Sequence, residues 1–259
     1  MPFGRILRKL QRPDTGVPGD LAIPSGKRIY AVGDIHGRVD LLDALHAKIL
    51  DDANAAKTQS NMVIYLGDYI DRGLHSKSVI DRLLESPLEG FESIHLKGNH
   101  EALMLEFLED ASIGRDWMTV GGKATLLSYG VRFAHGRTTK EDIDDLQLQL
   151  TDQLPDSHLR FLKSLAMRHS EGSYFFVHAG VRPGRSLESQ DDHDLIWIRD
   201  PFLTSQDWHG KVIVHGHSTG RQPEMLKNRI GIDTAAYATG VLTCLVLCED
   251  RRSLLSIGR

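Results

Sequence analysis

The chain has few cysteines, no long hydrophobic run and no low-complexity linker. Its two cysteines, Cys244 and Cys248, are too few for a disulfide framework. They lie four residues apart in an apolar run, so we expect two reduced thiols on one face of a strand. No apolar stretch approaches the roughly 20 residues that span a bilayer, and the N-terminus lacks the hydrophobic region of a signal peptide. These absences predict a cytoplasmic protein without a membrane span.

The composition is that of an ordinary globular domain. Charged residues make up 25% of the 259 residues, and the formal net charge is −4. An acidic chain of this kind argues against specific nucleic acid binding, so any attraction to a polyanion must be local. Without an internal repeat or a Gly/Ser/Pro-rich linker, residues 27–259 are predicted to form a single domain. We expect the basic segment 1–26 to be a mobile tail, with a weak membrane-surface helix as the alternative.

Five short segments combine Asp, His or Asn with glycine, and each directly follows an apolar run. The runs are rich in β-branched or aromatic residues and predict buried strands at 29–32, 62–66, 93–96, 174–177 and 212–214. The segments are Gly-Asp-Ile-His-Gly (33–37), Gly-Asp-Tyr-Ile-Asp-Arg-Gly (67–73), Gly-Asn-His-Glu (98–101), His-Ala-Gly (178–180) and His-Gly-His (215–217). Because ligands bind where the strands of an open α/β sheet end in loops, we expect the segments to converge on one crevice.

The pattern between these segments predicts an α/β fold. Helical periodicity at 39–53 and 76–84 makes residues 29–100 alternate between strand and helix, as parallel βαβ units do. A helical insert follows at about 102–170 and contributes none of the five segments. Later, 229–233 and 242–248 lie so close together in the chain that we expect them to pair antiparallel. Two sheets packed face to face, with helices outside, accommodate both halves.

Together the five segments predict a site for two metal ions. The candidate ligands are Asp34, His36, Asp68, Asn99, His178 and His217. Carboxylate, imidazole and amide donors without a thiolate suit manganese, iron, zinc or magnesium rather than a structural zinc site. Asp68 is the natural bridging carboxylate. Two such metals can bind a shared water, lower its pKa toward neutrality and hold a phosphoryl oxygen in line for attack by that metal-bound water.

Three further residues are candidates for catalysis and phosphate binding. His100, which follows Asn99 in the chain, is placed to protonate the leaving oxygen as a general acid. Asp71 can orient His100 through a carboxylate–imidazole hydrogen bond, and Arg72 offers a planar fork of donors for two phosphate oxygens. The structural alternative for Asp71 and Arg72 is a salt bridge within their loop.

On these segments the chain resembles the metallophosphoesterase superfamily, and within it the phosphoprotein phosphatase family. Gly-Asp-Tyr-Ile-Asp-Arg-Gly and Gly-Asn-His-Glu nearly match that family's signatures, and the likeness covers roughly residues 27–249. The chain is most similar to the compact bacterial members usually labelled serine/threonine protein phosphatases. The resemblance implies a calcineurin-like metallophosphoesterase fold, a two-sheet sandwich flanked by helices.

The resemblance also implies a division of the candidate residues. One metal ion would be bound by Asp34, His36 and Asp68, and the other by Asp68, Asn99, His178 and His217. Both ions are expected to be divalent, with manganese as the first choice. Arg199 resembles the family's second phosphate-binding arginine and would act on the phosphate together with Arg72 and Asn99. His215 is expected to be structural rather than a ligand.

Three functions remain open. The leading hypothesis is metal-dependent hydrolysis of phosphoserine or phosphothreonine in proteins. The alternative substrate is a dinucleoside polyphosphate, because the family's symmetrical diadenosine tetraphosphatases have closely similar metal loops. Those enzymes more often have Gly-Asn-His-Asp, so Glu101 favours protein substrates. The remote alternative is a non-catalytic scaffold; such proteins typically lose ligands or the acid histidine, and none of these residues is missing here.

Overall fold

A computed structural model describes residues 21–56, 58–133 and 139–258. Among these residues, two five-stranded sheets form the centre of the molecule. The first sheet contains β1 (Lys27–Val32), β2 (Ser60–Tyr65), β3 (Phe91–His95), β9 (Leu242–Cys248) and β10 (Arg251–Ile257), in the order β10-β9-β1-β2-β3. The second contains β4 (Arg168–Glu171), β5 (Tyr174–Val177), β6 (Val212–His215), β7 (Glu224–Met225) and β8 (Arg229–Gly231), in the order β4-β5-β6-β8-β7.

Helices connect the strands of the first sheet and build the insert. The crossovers between β1, β2 and β3 are α1 (Val39–Ala56) and α2 (Ser76–Glu85). Next along the chain come α3 (Asn99–Glu109), α4 (Gly114–Trp117), α5 (Lys123–Ser128), α6 (Lys140–Gln153) and α7 (Asp156–Ser164), with a 3₁₀ turn at Ala111–Ile113 and a π-helical turn at Met118–Gly122. A 3₁₀ turn at Leu187–Ser189 and the short helices α8 (Asp192–Trp197) and α9 (Ala236–Thr239) complete the described helical elements.

The central strands are buried on both faces, as β1 illustrates. Ile29 and Ala31 face the second sheet and pack in one core cluster with Phe176. Tyr30 and Val32 alternate with them and pack against the helices on the other side. A strand that is buried on both faces reads as a continuous apolar run in the sequence.

The predicted α/β fold with two packed sheets is confirmed. The strands and helices expected before residue 100 occur with ends shifted by at most three residues. The predicted helical insert runs as far as α7, but its last residues form the strand β4 rather than helix.

The predicted antiparallel pairing of 229–233 with 242–248 is wrong. β8 pairs with β6 and β7 in the second sheet, whereas β9 pairs with β1 and β10 in the first. The residues between β8 and β9 cross from one sheet to the other, and a tight hairpin then pairs β9 with β10. Proximity in the chain was a poor guide because both strands already had parallel or hairpin partners.

The predicted tail lies mostly outside the described residues, and its mobility stays a prediction for 1–20. The described part of this segment contacts the two sheets. Ile23 is buried, and its N–H donates to the carbonyl of Glu249 at 3.0 Å. The carbonyl of Ala22 accepts the N–H of Ser173 at 2.9 Å. Packing against the domain thus begins before residue 27. No helix in the described ranges has the length and apolar character needed to cross a membrane.

Candidate metal centre

Loops from both sheets bring the candidate ligands together at one edge. β1, β2 and β3 run parallel to one another, and so do β5, β6 and β8, so their carboxyl ends lie on a common side within each sheet. The side chains that follow these strands are all buried: Asp34, His36, Asp68, Asn99, His178 and His217. The sequence-predicted ligands therefore form one cluster between the two sheets.

Strained backbone shapes these loops, and Glu101 binds the backbone of two of them. Five site residues have left-handed backbone with φ between 46° and 70°, namely His36, Asp68, Asp71, Arg72 and His217. Such conformations cost about 1–3 kcal/mol each and persist where surrounding contacts enforce them. The buried Glu101 carboxylate accepts the N–H groups of Asp68 (2.9 Å), Tyr69 (2.8 Å) and Gly98 (2.9 Å). This contact was not predicted from the sequence, where Glu101 stood out only as the last residue of Gly-Asn-His-Glu.

Asp68 lies between two groups of histidines. Its Oδ2 is 3.4 Å from His36 Nε2 and 3.8 Å from His100 Nε2, and its Oδ1 is 3.3 Å from His178 Nε2. Ligand atoms of His36, Asp68 and His100 lie within 4.8 Å of one another, and so do those of Asp68, His178 and His217. A carboxylate shared by two such groups has the geometry that a bridging ligand requires.

The first of these groups differs from the predicted ligand set. It contains His100, where the resemblance implied Asp34. Asp34 joins the cluster through the last segment instead, because its two carboxylate oxygens accept the backbone N–H of His217 at 3.0 and 3.2 Å. The assignment of Asp34 to the first metal ion, and of His100 to proton transfer, therefore stays a proposal.

In the second group, the Nε2 atoms of His178 and His217 receive no hydrogen bond from a protein donor, which is typical of nitrogens that bind a cation. His178 donates its Nδ1–H to the carbonyl of Leu66 at 2.8 Å, so a neutral ring carries its lone pair on Nε2. That nitrogen faces two acceptor oxygens, Asn99 Oδ1 at 3.0 Å and Asp68 Oδ1 at 3.3 Å, so either a proton or a metal ion must lie between them. His217 Nε2 is buried without a hydrogen-bond partner. A divalent cation placed among these nitrogen and oxygen atoms would give each of the buried acceptors a partner.

The electrostatics of the cluster also fit a cation. Burial opposes protonation of His178, but Asp68, Asp34 and Glu101 outweigh it and raise its pKa to about 10. Burial and the carboxylates of Asp233 and Asp68 raise the pKa of Asp34 well above its usual range. Carboxylates crowded in this way favour a bound positive charge, and a metal ion can supply it in place of protons.

His100 is held by Asp71 on the opposite side from the ligands. It donates Nδ1–H to Asp71 Oδ2 at 2.6 Å, which is the hydrogen bond expected from the sequence. Asp71 also accepts Trp117 Nε1–H at 2.8 Å and the Thr125 hydroxyl at 2.5 Å. Burial lowers the pKa of His100, but Asp68 and Asp71 reverse this effect and hold the pKa above its ordinary value. His100 thus has a fixed ring orientation and a nitrogen directed into the cluster.

The two candidate phosphate-binding arginines lie beside different ligands. Arg72 donates from Nη1 to His36 Nε2 at 2.9 Å, and its guanidinium lies 4.7 Å from the ring centre of Tyr237. Arg199 follows α8 and donates from Nη1 to the hydroxyl of Ser218 at 3.3 Å, next to His217 in the chain. Arg72 contacts His36, and Asp71 contacts His100. Asp71 and Arg72 form no salt bridge with each other within the described structure.

His215 has a different environment from the ligands. Its Nδ1–H donates to the carbonyl of Gly216 at 3.0 Å, and its ring meets that of Phe202 edge-on at 5.1 Å. Burial lowers its pKa to about 4, and it belongs to neither of the two ligand groups. The expectation that His215 is structural stays a prediction.

The fold and the site define the class of protein. The family model of calcineurin-like phosphoesterases matches residues 27–233, so the chain belongs to that family and is a metal-dependent phosphatase. The superfamily and the fold inferred from the sequence are thereby confirmed. The cytoplasmic location is not tested by these findings.

Comparisons with individual proteins place the chain among two kinds of relative. It is 38% identical to serine/threonine-protein phosphatase 2 of Escherichia coli (strain K12), over 84% of this chain and 91% of that protein. It is 23% identical to an asymmetrical bis(5'-nucleosyl)-tetraphosphatase of Bacillus thuringiensis (strain Al Hakam), over 83% of this chain and 88% of that protein. Its fold is similar to the crystal structure of a putative diadenosine tetraphosphatase, with a TM-score of 0.58 at 20% identity, covering 90% of this chain and 94% of that one.

Proposed function

We propose that the protein uses two divalent metal ions, with manganese as the first choice, to hydrolyse phosphate monoesters on serine and threonine residues of proteins. The observation that carries the proposal is the His100–Asp71 pair, whose free imidazole nitrogen is 3.8 Å from Asp68 Oδ2 in the middle of the cluster. The likeness to the Escherichia coli serine/threonine phosphatase supports this substrate class.

The proposed metal ligands come from both sheets. Asp34, His36 and Asp68 would hold one ion, and Asp68, Asn99, His178 and His217 the other; iron, zinc and magnesium also suit these donors. When bound, the two ions would polarise the phosphoryl group and activate the attacking water.

The remaining chemistry belongs to side chains of this chain. Arg72 and Arg199 would donate hydrogen bonds to phosphate oxygens, joined by the Asn99 side-chain amide. His100 Nε2 would give its proton to the oxygen of the departing serine or threonine, which is a poor leaving group without one. Asp71 would keep Nδ1–H engaged so that only Nε2 exchanges the proton.

A second candidate is hydrolysis of a dinucleoside polyphosphate such as diadenosine tetraphosphate. The similarity to the Bacillus enzyme favours it, at a lower identity than the similarity to the protein phosphatase. The decisive experiment offers a phosphothreonine peptide, a phosphotyrosine peptide and diadenosine tetraphosphate to chelator-stripped protein reloaded with manganese. We expect phosphothreonine to be hydrolysed fastest. Preference for the dinucleotide with phosphopeptides untouched would contradict the proposal, and chromatography would separate symmetrical cleavage (ADP) from asymmetrical cleavage (ATP and AMP).

Replacement of the proposed acid tests the mechanism. We expect His100→Asn to lower kcat on the phosphothreonine peptide about 10²- to 10⁴-fold, which is the contribution typical of a general acid, with bound manganese unchanged. His169→Asn, on the edge strand β4, is the control and should retain activity. Loss of a metal ion in His100→Asn would instead assign His100 as a ligand, in line with its place in the first group.

A further inference from the structure

The helical insert holds the Asp71 carboxylate with two side chains. Trp117, the last residue of α4, donates Nε1–H to Asp71 Oδ2. The same oxygen accepts the hydrogen bond from His100 Nδ1–H. Thr125 in α5 donates its hydroxyl to Asp71 Oδ1 and accepts the backbone N–H of Asp71 at 2.9 Å. Neither Trp117 nor Thr125 is exposed. Hydrogen bonds shielded from water in this way fix their partners firmly.

Two adjacent glycines allow the insert to approach this loop. A Cβ on Gly121 would lie 2.8 Å from the backbone nitrogen of Arg72, and a Cβ on Gly122 would lie 2.6 Å from the Trp117 ring. The carbonyl of Gly121 accepts the N–H of Arg72 at 3.2 Å. The turn between α4 and α5 therefore contacts both Arg72 and Trp117, which holds Asp71.

We propose that Trp117 and Thr125 are positioning residues that orient His100 through Asp71. The inference rests on the proposed function, in which His100 is the general acid. A carboxylate bound at one oxygen only can turn about its side-chain bonds. With Oδ1 bound by Thr125 and Oδ2 by Trp117, the carboxylate plane is set, and His100 is held with Nε2 toward the cluster. The insert supplies no ligand, yet it controls the geometry of proton transfer.

This arrangement should affect substrates according to their leaving group. Departure of a threonine alkoxide needs a proton, so its hydrolysis depends on a correctly oriented His100. A nitrophenolate departs without a proton near neutral pH, so hydrolysis of p-nitrophenyl phosphate depends on His100 much less. A change that merely loosened the fold or weakened metal binding would slow both substrates alike.

A matched pair of substitutions at one position tests the proposal. Thr125→Val keeps the shape of the side chain and removes its hydroxyl, whereas Thr125→Ser keeps the hydroxyl and removes a methyl group. On manganese-loaded full-length protein we expect Thr125→Val to lower kcat for a phosphothreonine peptide about 10- to 100-fold, as loss of an orienting partner does. Hydrolysis of p-nitrophenyl phosphate should change less than about twofold, and Thr125→Ser should retain most activity on both substrates.

Trp117→Phe provides a second variant, should Thr125→Val fold poorly. It keeps an aromatic ring against Phe107, whose ring centre lies 5.0 Å from that of Trp117, and removes the donor to Asp71 together with part of the buried indole. We expect the same selective loss on phosphothreonine. Equal losses on both substrates, or equal losses in Thr125→Val and Thr125→Ser, would overturn the proposal in favour of packing alone.

The His100→Asn variant distinguishes failure of the positioning inference from failure of the proposed function. If His100→Asn loses phosphothreonine hydrolysis while Thr125→Val and Trp117→Phe do not, only the positioning inference fails. If His100→Asn retains phosphothreonine hydrolysis, the proposed acid itself is refuted.

Discussion

His215 and His217 differ only in their surroundings, and those surroundings should decide which one binds metal. Burial lowers the pKa of both, to about 4 for His215 and about 2 for His217, so each ring is neutral and carries a free lone pair. Only His217 has other ligand atoms close by, from Asp68 and His178. His215 lies against Phe202 instead. Residue type and spacing alone could not separate the two.

Matched substitutions of these two histidines test the assignment. His217→Gln should lower the bound manganese from two ions per chain to one, because it removes a nitrogen from the second ligand group. His215→Gln should leave both ions bound. Metal analysis of protein reloaded with manganese and freed of excess metal measures both variants. Loss of one ion in His215→Gln would make His215 a ligand and refute the assignment.

At the scale of an element, the turn between α4 and α5 should be sensitive to any side chain at Gly121. Its φ of 130° disfavours other residues, and a Cβ there would meet both the backbone and the side chain of Arg72 at 2.8 Å. We expect Gly121→Ala to raise KM for phosphopeptides by displacing the Arg72 guanidinium. Steady-state kinetics measures this effect, and thermal unfolding measures the accompanying strain of about 1–3 kcal/mol.

Gly130→Ala is the matched control for that substitution. Gly130 also has a positive φ, of 84°, but a Cβ there would meet nothing within 4 Å. It should therefore lose stability from backbone strain while its KM stays unchanged. If both variants raised KM equally, general loosening of the insert would explain the effect, and contact with Arg72 would not.

Elements were predictable from the sequence where local pattern determines them. The strands before the metal loops are continuous apolar runs, and β1 and β2 were placed to within two residues because they are buried on both faces. The edge strand β10 was missed because its burial follows no regular alternation: only Arg252, Leu255 and Ile257 are partly buried, and the other residues are exposed. The partners of Asp71 were missed for a different reason. Trp117 and Thr125 lie 46 and 54 residues further along the chain, and only tertiary packing brings them to it.

At the scale of the whole molecule, the proposed metal centre joins two sheets whose facing surfaces pack mainly through apolar side chains. Four proposed ligands follow strands of the first sheet, and the other two, His178 and His217, follow strands of the second. The sequence predicted this convergence because parallel strands end on one side of a sheet. It could not predict the substrate, because the shape of the entrance depends on how the insert packs against the loops.

The final prediction follows from that division of ligands between the sheets. Metal ions that bind only the folded protein stabilise it by mass action, by about 2.7 kcal/mol per site when the free ion is at 100 times its Kd. For a chain of this size that corresponds to a rise in Tm of roughly 5–10 °C per site. We therefore expect chelation to lower the Tm seen by calorimetry, and added manganese to restore it. His217→Gln should recover only part of the rise, because one ligand group is then incomplete. Recovery of the full rise by His217→Gln would show that His217 contributes nothing to metal binding and would contradict its assignment as a ligand.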